Sequence, residues 1–279
     1  MAPHDSPSGV ASLRAVYPYD GAMTALSIVL PAYQEAARIG PALDELFAYL
    51  AARPDLGAPG QVEVLVVDDG STDGTAGLVE GRPEARGSLP GVSLRVLGVP
   101  HGGKGAAVRA GMLAATGDQV VFADADMATP PDQLPPLLAA LADHDVALGS
   151  RIQPDGSDMR TAQPRYRRLL GKIFHALAAM WVTGPVKDTQ CGFKGFTRRA
   201  AQDLFARQKI TSIVFDVELI YLARRRGYRV AVVPIRWFDR RGSRMRASIP
   251  LALRVAWDLF RIPLLHRRSG RIEERAVGR

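Results

Sequence analysis

Apolar positions along this chain follow two patterns that take turns. Short β-branched runs, LSIVL from Leu26, VEVLVV from Val62, LRVLG from Leu94, QVVFA from Gln119 and DVALG from Asp145, have the length and composition of buried strands. Between them Ile39, Leu43, Leu46, Phe47 and Leu50 recur at helical spacing, as do the apolar residues of QLPPLLAALA from Gln133. Strand and helix alternating over this length predict an α/β fold, a mostly parallel sheet with helices on both faces. After Arg151 the pattern loosens. A helix is predicted over about 164–183, with Leu169, Ile173, Leu177 and Trp181 on one face; DTQCGFKGFTR from Asp188 comes next, and KDTQCGF, Lys187 to Phe193, is a poor sequence for regular structure. A helix around FDVELIYLARRRG from Phe215 and a strand RVAVVPIRW from Arg229 follow. The segment from Ser248 to Leu265 alternates apolar residues with Arg254, Asp258 and Arg261, as an amphipathic helix would.

These patterns divide the chain. Residues 1–24, rich in Pro, Ser and Gly, read as a disordered extension and not as a signal peptide. Residues 25–246 hold one domain without a repeat or linker, and 247–279 form an amphipathic, basic tail. The longest weakly polar run, Ile173 to Val186, is shorter than the roughly 20 apolar residues a spanning helix needs.

Candidate chemistry gathers where strands end. One strand stops on Asp68 and Asp69, another on Asp124 and Asp126. Ligands of open α/β sheets bind beyond the carboxyl ends of strands. An isolated acid pair there can simply cap a helix, and MATPPDQL does begin one. Four carboxylates at one edge repel each other unless a cation sits among them, and Mg²⁺ or Mn²⁺ takes oxygen ligands of this kind. GVPHGGKG, Gly98 to Gly105, nearly matches the phosphate-binding loop G-x-x-x-x-G-K-[ST], but Gly105 lacks the hydroxyl that would ligate magnesium. Lys104 is then read as a cation near a diphosphate, without the ATPase chemistry. No G-x-G-x-x-G follows the first strand, which argues against an oxidoreductase. Asp188, Asp216 and Glu218 are further acids, His101 and His175 read as structural or solvated, and Cys191 as a small buried residue.

Charge and cysteine count narrow the partners. Lys and Arg exceed Asp and Glu by 36 to 28, giving net charge +8, so an anionic partner is expected. A single cysteine rules out an intrachain disulfide and suits a reducing compartment.

In order, SIVLPAYQEAARI, VVDDGSTDGT, GGKGAAVRAGM, FADADMATP, VALGSR, DTQCGFKGFTR, FDVELIYLARRRGYRV and IRWFDRRGSR resemble inverting GT-A glycosyltransferases of family 2, of the dolichyl- or polyprenyl-phosphate β-glucosyltransferase type. The specific part is DTQCGFK with FDVEL and the later W-x-D-x-x-G-S-[KR]. The resemblance implies transfer of a hexose or N-acetylhexosamine from a UDP-sugar to a polyprenyl phosphate, with inversion, on the cytosolic membrane face. It implies that Pro31, Tyr33, Glu35, Asp68, Asp69 and Lys104 line the nucleotide site and that Asp124 and Asp126 hold the Mg²⁺ or Mn²⁺. Arg151, Arg167 and Arg168 are similar to positions that receive the acceptor phosphate, with Asp188 and Gln190 near the transferred sugar; Asp188, Asp126 and Arg168 are the catalytic candidates. Two positions depart from the family, Gln34 where Asn is usual and Arg244 where Lys is common.

The chemistry agrees with these assignments. Breaking the bond to a nucleotide diphosphate builds negative charge that a cation and Lys or Arg stabilise. A lipid phosphate is itself an anionic nucleophile, so positioning by arginine matters more than a general base, and Asp188 is expected to orient rather than abstract a proton. Two other readings stay open: a soluble transferase using a small phosphorylated acceptor, and, remotely, a basic nucleic-acid-binding protein. The second would need aromatics interleaved with its arginines, and RWFDRRGSRMR offers only Trp237 and Phe238. Nucleic acid is therefore not an expected partner, and a homo-oligomer is left open. Between Arg236 and Arg246 that run holds five arginines against one acid, beside the amphipathic segment, which predicts peripheral binding to anionic membranes through 236–265.

Overall fold

The computed structural model describes residues 24–56, 61–159, 182, 186, 188–240, 249–267 and 270. Seven strands form one sheet: β1 (Thr24–Ala32), β2 (Gln61–Asp68), β3 (Val92–Gly98), β4 (Gln119–Ala123), β5 (Val146–Ser150), β6 (Phe193–Thr197) and β7 (Val230–Pro234). Their spatial order is β3-β2-β1-β4-β6-β5-β7. All neighbours pair parallel except β6, which runs antiparallel to both β4 and β5. The fold is α/β, a mostly parallel sheet with helices on both faces, as expected.

Seven α-helices are seen among the described residues: α1 (Ile39–Ala52), α2 (Thr75–Glu80), α3 (Lys104–Ala114), α4 (Leu134–Ala140), α5 (Arg198–Arg207), α6 (Phe215–Arg226) and α7 (Ile249–Leu265). Strand alternation sorts them onto two faces. Leu26, Ile28 and Leu30 of β1 with Val62, Val64 and Val66 of β2 meet α1, α2 and α4. Val29, Leu65 and Val67 point the other way, against α3, α5 and α6. A third cluster, Ile210, Val214 and Val217 against Leu259 and Ile262, joins α7 to α6 and the loop before it.

Two elements depart from the sequence expectation. Asp188 to Gly192 is irregular, as expected, but Phe193–Thr197, a strand the sequence does not announce, is β6, in the middle of the sheet, and α5 follows it. Thr197 caps α5 by accepting the Ala200 N–H. α7 is not a free tail but is docked on the domain, with Asp258, Leu259, Ile262 and His266 buried. The 1–23 extension, the helix expected over 164–183 apart from Val182, and residues 241–248 lie outside the described residues. No helix among the described residues is long and apolar enough to cross a membrane.

Candidate active site

Three parallel strands finish at one place. β1 ends on Pro31 and Ala32, β2 on Asp68 in register with Ala32, and β4 on Ala123, directly before Asp124. The chain winds outward from β1 to β3 and then returns to the other side of β1 as β4, so the sheet order reverses there and opens a crevice. Pro31, Tyr33, Glu35, Asp68, Asp69, Lys104, Asp124 and Asp126 lie on the segments that line it.

The β1 and β2 ends shape its first wall. Asp68 is buried; its Oδ2 accepts the Ser71 N–H, while its Oδ1 has no hydrogen-bond partner. A buried acceptor left unpaired costs about 1–3 kcal/mol, so the position invites a donor from a ligand. Asp69 spends its carboxylate on the chain, accepting the N–H of Gly102 at 2.8 Å and of Gly103 at 3.0 Å, with His101 Nδ1 at 2.9 Å. It therefore fixes the loop that carries Lys104. His101, read from the sequence as structural or solvated, stacks on Tyr33 with ring centroids 4.2 Å apart, a flat aromatic surface at the crevice rim. Glu35 is gripped by Arg38, whose Nε and terminal nitrogen donate at 2.7 and 2.5 Å. Gln34 has φ 54°, a left-handed conformation that Asn accepts more readily, which gives a backbone reason for the Asn usual at this position. The Gln34 amide is still used, donating to Thr72 Oγ1 at 2.9 Å.

Charges of alternating sign form the floor. Lys104 at the start of α3 donates to Asp124 Oδ1 at 2.5 Å. Burial pulls the Lys104 ammonium down, but Asp124, Asp216 and Asp126 outweigh it and hold its pKa above the usual lysine value. Beneath, Lys194 is fully buried and donates to Asp216 at 2.6 Å and to the Cys191 carbonyl at 2.5 Å. Burial raises the Asp216 carboxyl despite both lysines. Burial and the adjoining Asp124 also raise Asp126, against the Ala128 N–H, Arg38 and Lys104. Asp126 thus resists ionisation where it stands, a conflict that a divalent cation relieves.

The side chains present suit a cation that shares its shell with phosphate. Among the described residues no group of three or more His, Cys, Asp and Glu could hold a metal on its own. Two carboxylates are what a Mg²⁺-type ion uses when substrate phosphates complete its shell. Glycines leave room for this. A Cβ on Gly192 would fall 2.1 Å from Asp124 Oδ2, and one on Gly105 would fall 2.7 Å from the Thr211 carbonyl oxygen. A hydroxyl side chain at 105 has no space, which is why GVPHGGKG cannot work as the ATP-type loop it nearly matches.

The second wall joins residues distant in sequence. Arg151, directly after β5, clamps the buried Asp188 carboxylate: its Nε and terminal nitrogen donate at 2.8 and 2.6 Å and its backbone N–H at 2.9 Å. Although burial opposes its charge, Asp188 holds the guanidinium well above its ordinary pKa, and the group also lies over the Trp237 ring at 5.7 Å. Gln190 Nε2 donates to the Ile213 carbonyl at 3.4 Å. Glu218 stands apart from the crevice: it accepts the N–H of Lys209 and Ile210, both at 2.9 Å, and contacts His266 Nε2 at 2.6 Å. Arg167, Arg168 and Arg244 lie outside the described residues.

Residues 27–205 match the family described as Glycosyl transferase family 2. The chain belongs to this family. Curated family members of the dolichyl-phosphate beta-glucosyltransferase kind are similar over most of their length. One from Trichomonas vaginalis is 37% identical over 248 residues, 86% of this chain and 71% of that protein. One from Drosophila melanogaster is 38% identical over 246 residues, 85% and 74% of the two chains. Among solved structures, glucosyl-3-phosphoglycerate synthase from Mycobacterium tuberculosis in complex with UDP superimposes with TM-score 0.59 at 22% identity, covering 98% of this chain and 88% of that one. That likeness shows the GT-A fold.

Proposed function

We propose that this protein transfers a sugar from a uridine diphosphate sugar to a polyprenyl phosphate, with inversion, using Mg²⁺ or Mn²⁺. The observation that carries the proposal is the floor of Asp126, Asp124 and Lys104 at the switch point of a chain 37–38% identical to dolichyl-phosphate beta-glucosyltransferases. The unpaired Asp68 Oδ1 and the Tyr33–His101 stack suit a flat base bearing an N–H, such as uracil. The relatives make glucose the first sugar to test.

The bond that breaks joins the anomeric carbon to the β-phosphate oxygen; the bond that forms joins that carbon to an oxygen of the acceptor phosphate, and UDP departs. Asp124 and Asp126 would hold the cation, which neutralises charge on the leaving diphosphate. Lys104 stays charged beside them and supplies a second positive group to the same oxygens. An acceptor phosphate arrives already anionic, so no residue has to remove its proton. Asp188, held by three N–H groups of Arg151, serves this scheme as a positioning residue that fixes the guanidinium at the crevice wall. Arg167 and Arg168 remain proposed acceptor-phosphate contacts.

The test is incubation with labelled UDP-glucose, UDP-N-acetylglucosamine and GDP-mannose, Mn²⁺ or Mg²⁺, and either polyprenyl phosphate or 3-phosphoglycerate. Label should reach the organic phase from a UDP-sugar and depend on the cation. Label moving only from the GDP-sugar, or only onto the water-soluble acceptor, overturns the proposal.

A further inference from the structure

α7 is turned in an unexpected way. Its one acid faces the protein: Asp258 accepts the Ser212 hydroxyl at 2.6 Å and pairs with Arg261 at 2.8 Å, and beyond its last turn the buried His266 meets Glu218. Leu259 and Ile262 fill the cluster with Ile210, Val214 and Val217. What faces outward is an apolar stripe, Leu253, Trp257, Phe260 and Leu264, exposed by 68, 60, 50 and 41%. The spacing of four, three and four residues keeps them on one helical face. Trp257 and Phe260 lie ring to ring with centroids 6.1 Å apart.

We infer that this stripe is a docking face for an anionic lipid surface, on which the helix lies in the interfacial plane without spanning it. Charge chooses the partner. The one acid of α7 among the described residues, Asp258, is buried and paired, so the exposed positions offer apolar groups with Arg254 among them and Arg267 just past the helix end, and no carboxylate. Cations beside an apolar face with tryptophan match a headgroup layer over acyl chains. Area argues against a second copy. Four side chains exposed to this degree present on the order of 400 Å², within the range of functional patches on monomers and below the ~800 Å² per partner of a stable interface. Fixed attachment suits the role: the 208–214 segment under α7 is also held by Gln190 through Ile213 and by Gly105 through Thr211. The docked helix is thereby tied to both walls of the crevice.

Of the 236–246 run two arginines are described: Arg236 pairs with Asp132, and Arg240 with Glu45 at 2.9 Å, both at the exposed surface. The apolar part of the expected 236–265 face is carried by α7.

The biological occasion for docking rests on the polyprenyl-phosphate reading, but its test does not. The full chain is floated with phosphatidylcholine vesicles with and without phosphatidylserine, with no nucleotide or acceptor. It should float with the anionic vesicles, less so at high salt. A Leu253→Gln/Trp257→Gln/Phe260→Gln variant should lose at least about tenfold in bound fraction while its melting temperature and its transfer to a short, water-soluble isoprenyl phosphate stay within about twofold of the parent. Flotation unchanged by the three substitutions overturns the inference, as does a parent chain that floats with neither vesicle. So does a parent that sediments as a dimer and a variant that sediments as a monomer, which would make a second copy the occupant. Flotation without any transfer to polyprenyl phosphate would sink the functional reading and leave this one standing.

Discussion

Arg151 and Asp188 stand 37 residues apart, yet three N–H groups of one converge on the carboxylate of the other. Removing the guanidinium takes two of these three donors and a cation from a buried carboxylate, so Arg151→Ala should cost about 3–5 kcal/mol in urea unfolding, and adding Asp188→Ala should recover part of that loss. A loss below about 1 kcal/mol for Arg151→Ala would show that the pair does not matter to stability. Gly192 tests the floor differently. The nearest atoms to a Cβ there all belong to the Asp124 carboxylate, so Gly192→Ala moves the group proposed to hold the cation rather than the core. Transfer should fall at least about tenfold and require more Mn²⁺, with stability changed by about 1 kcal/mol or less. Wild-type Mn²⁺ dependence in that variant would mean that Asp124 does not hold the ion. Cys191 makes the opposite point. Burial pushes its thiol up to about 12, so a maleimide should label nothing in the native chain and one thiol in denaturant.

Helices and strands were legible where the local pattern decides them. β1 to β5 and β7 announce themselves by β-branched runs, and α1 by its apolar spacing. β6 did not, because its second residue is Lys194, buried with an ionic partner 22 residues later, and no window around Phe193–Thr197 contains that fact. The missed α5 did carry a signal in Thr197, a residue type that caps helices. In the site, the acids at strand ends could be found from sequence, while the clamp on Asp188 and the stack under His101 depend on contacts across more than 30 residues. The same distinction governs two alanines. At Gly111 in α3 a Cβ would sit 2.4 Å from Val29 Cγ1 and 2.6 Å from Val67 Cγ2, and Gly111→Ala should destabilise by about 1–3 kcal/mol. Gly77 in the exposed part of α2 has open space, and Gly77→Ala should stabilise by about 0.4–1 kcal/mol. Melting temperatures moving the same way in both would refute the packing around α3.

Across the molecule, the crevice is assembled from the ends of β1, β2 and β4, the start of α3 and the loops at Arg151 and Asp188. A nucleotide bridging them binds only the folded chain and should raise the melting temperature in proportion to the logarithm of its excess over Kd, with UDP and Mn²⁺ together exceeding GDP and Mn²⁺. Equal shifts would remove the preference for uridine.

The 208–213 segment gives this whole a further property. Gln208 and Thr211 hold Gly105 beneath the diphosphate loop, while Ser212 and the Glu218-bound N–H groups of Lys209 and Ile210 are tied to α7. If energy exchanged at one end of this strap is felt at the other, reciprocity is compulsory. If vesicles tighten UDP binding by some factor, UDP must tighten vesicle binding by that factor. His266→Ala, which loosens one fastening without touching the crevice, should shrink both factors together, and UDP titrations with and without vesicles would read them. An enzyme built this way would hold its sugar donor most firmly when it is already resting where its acceptor is.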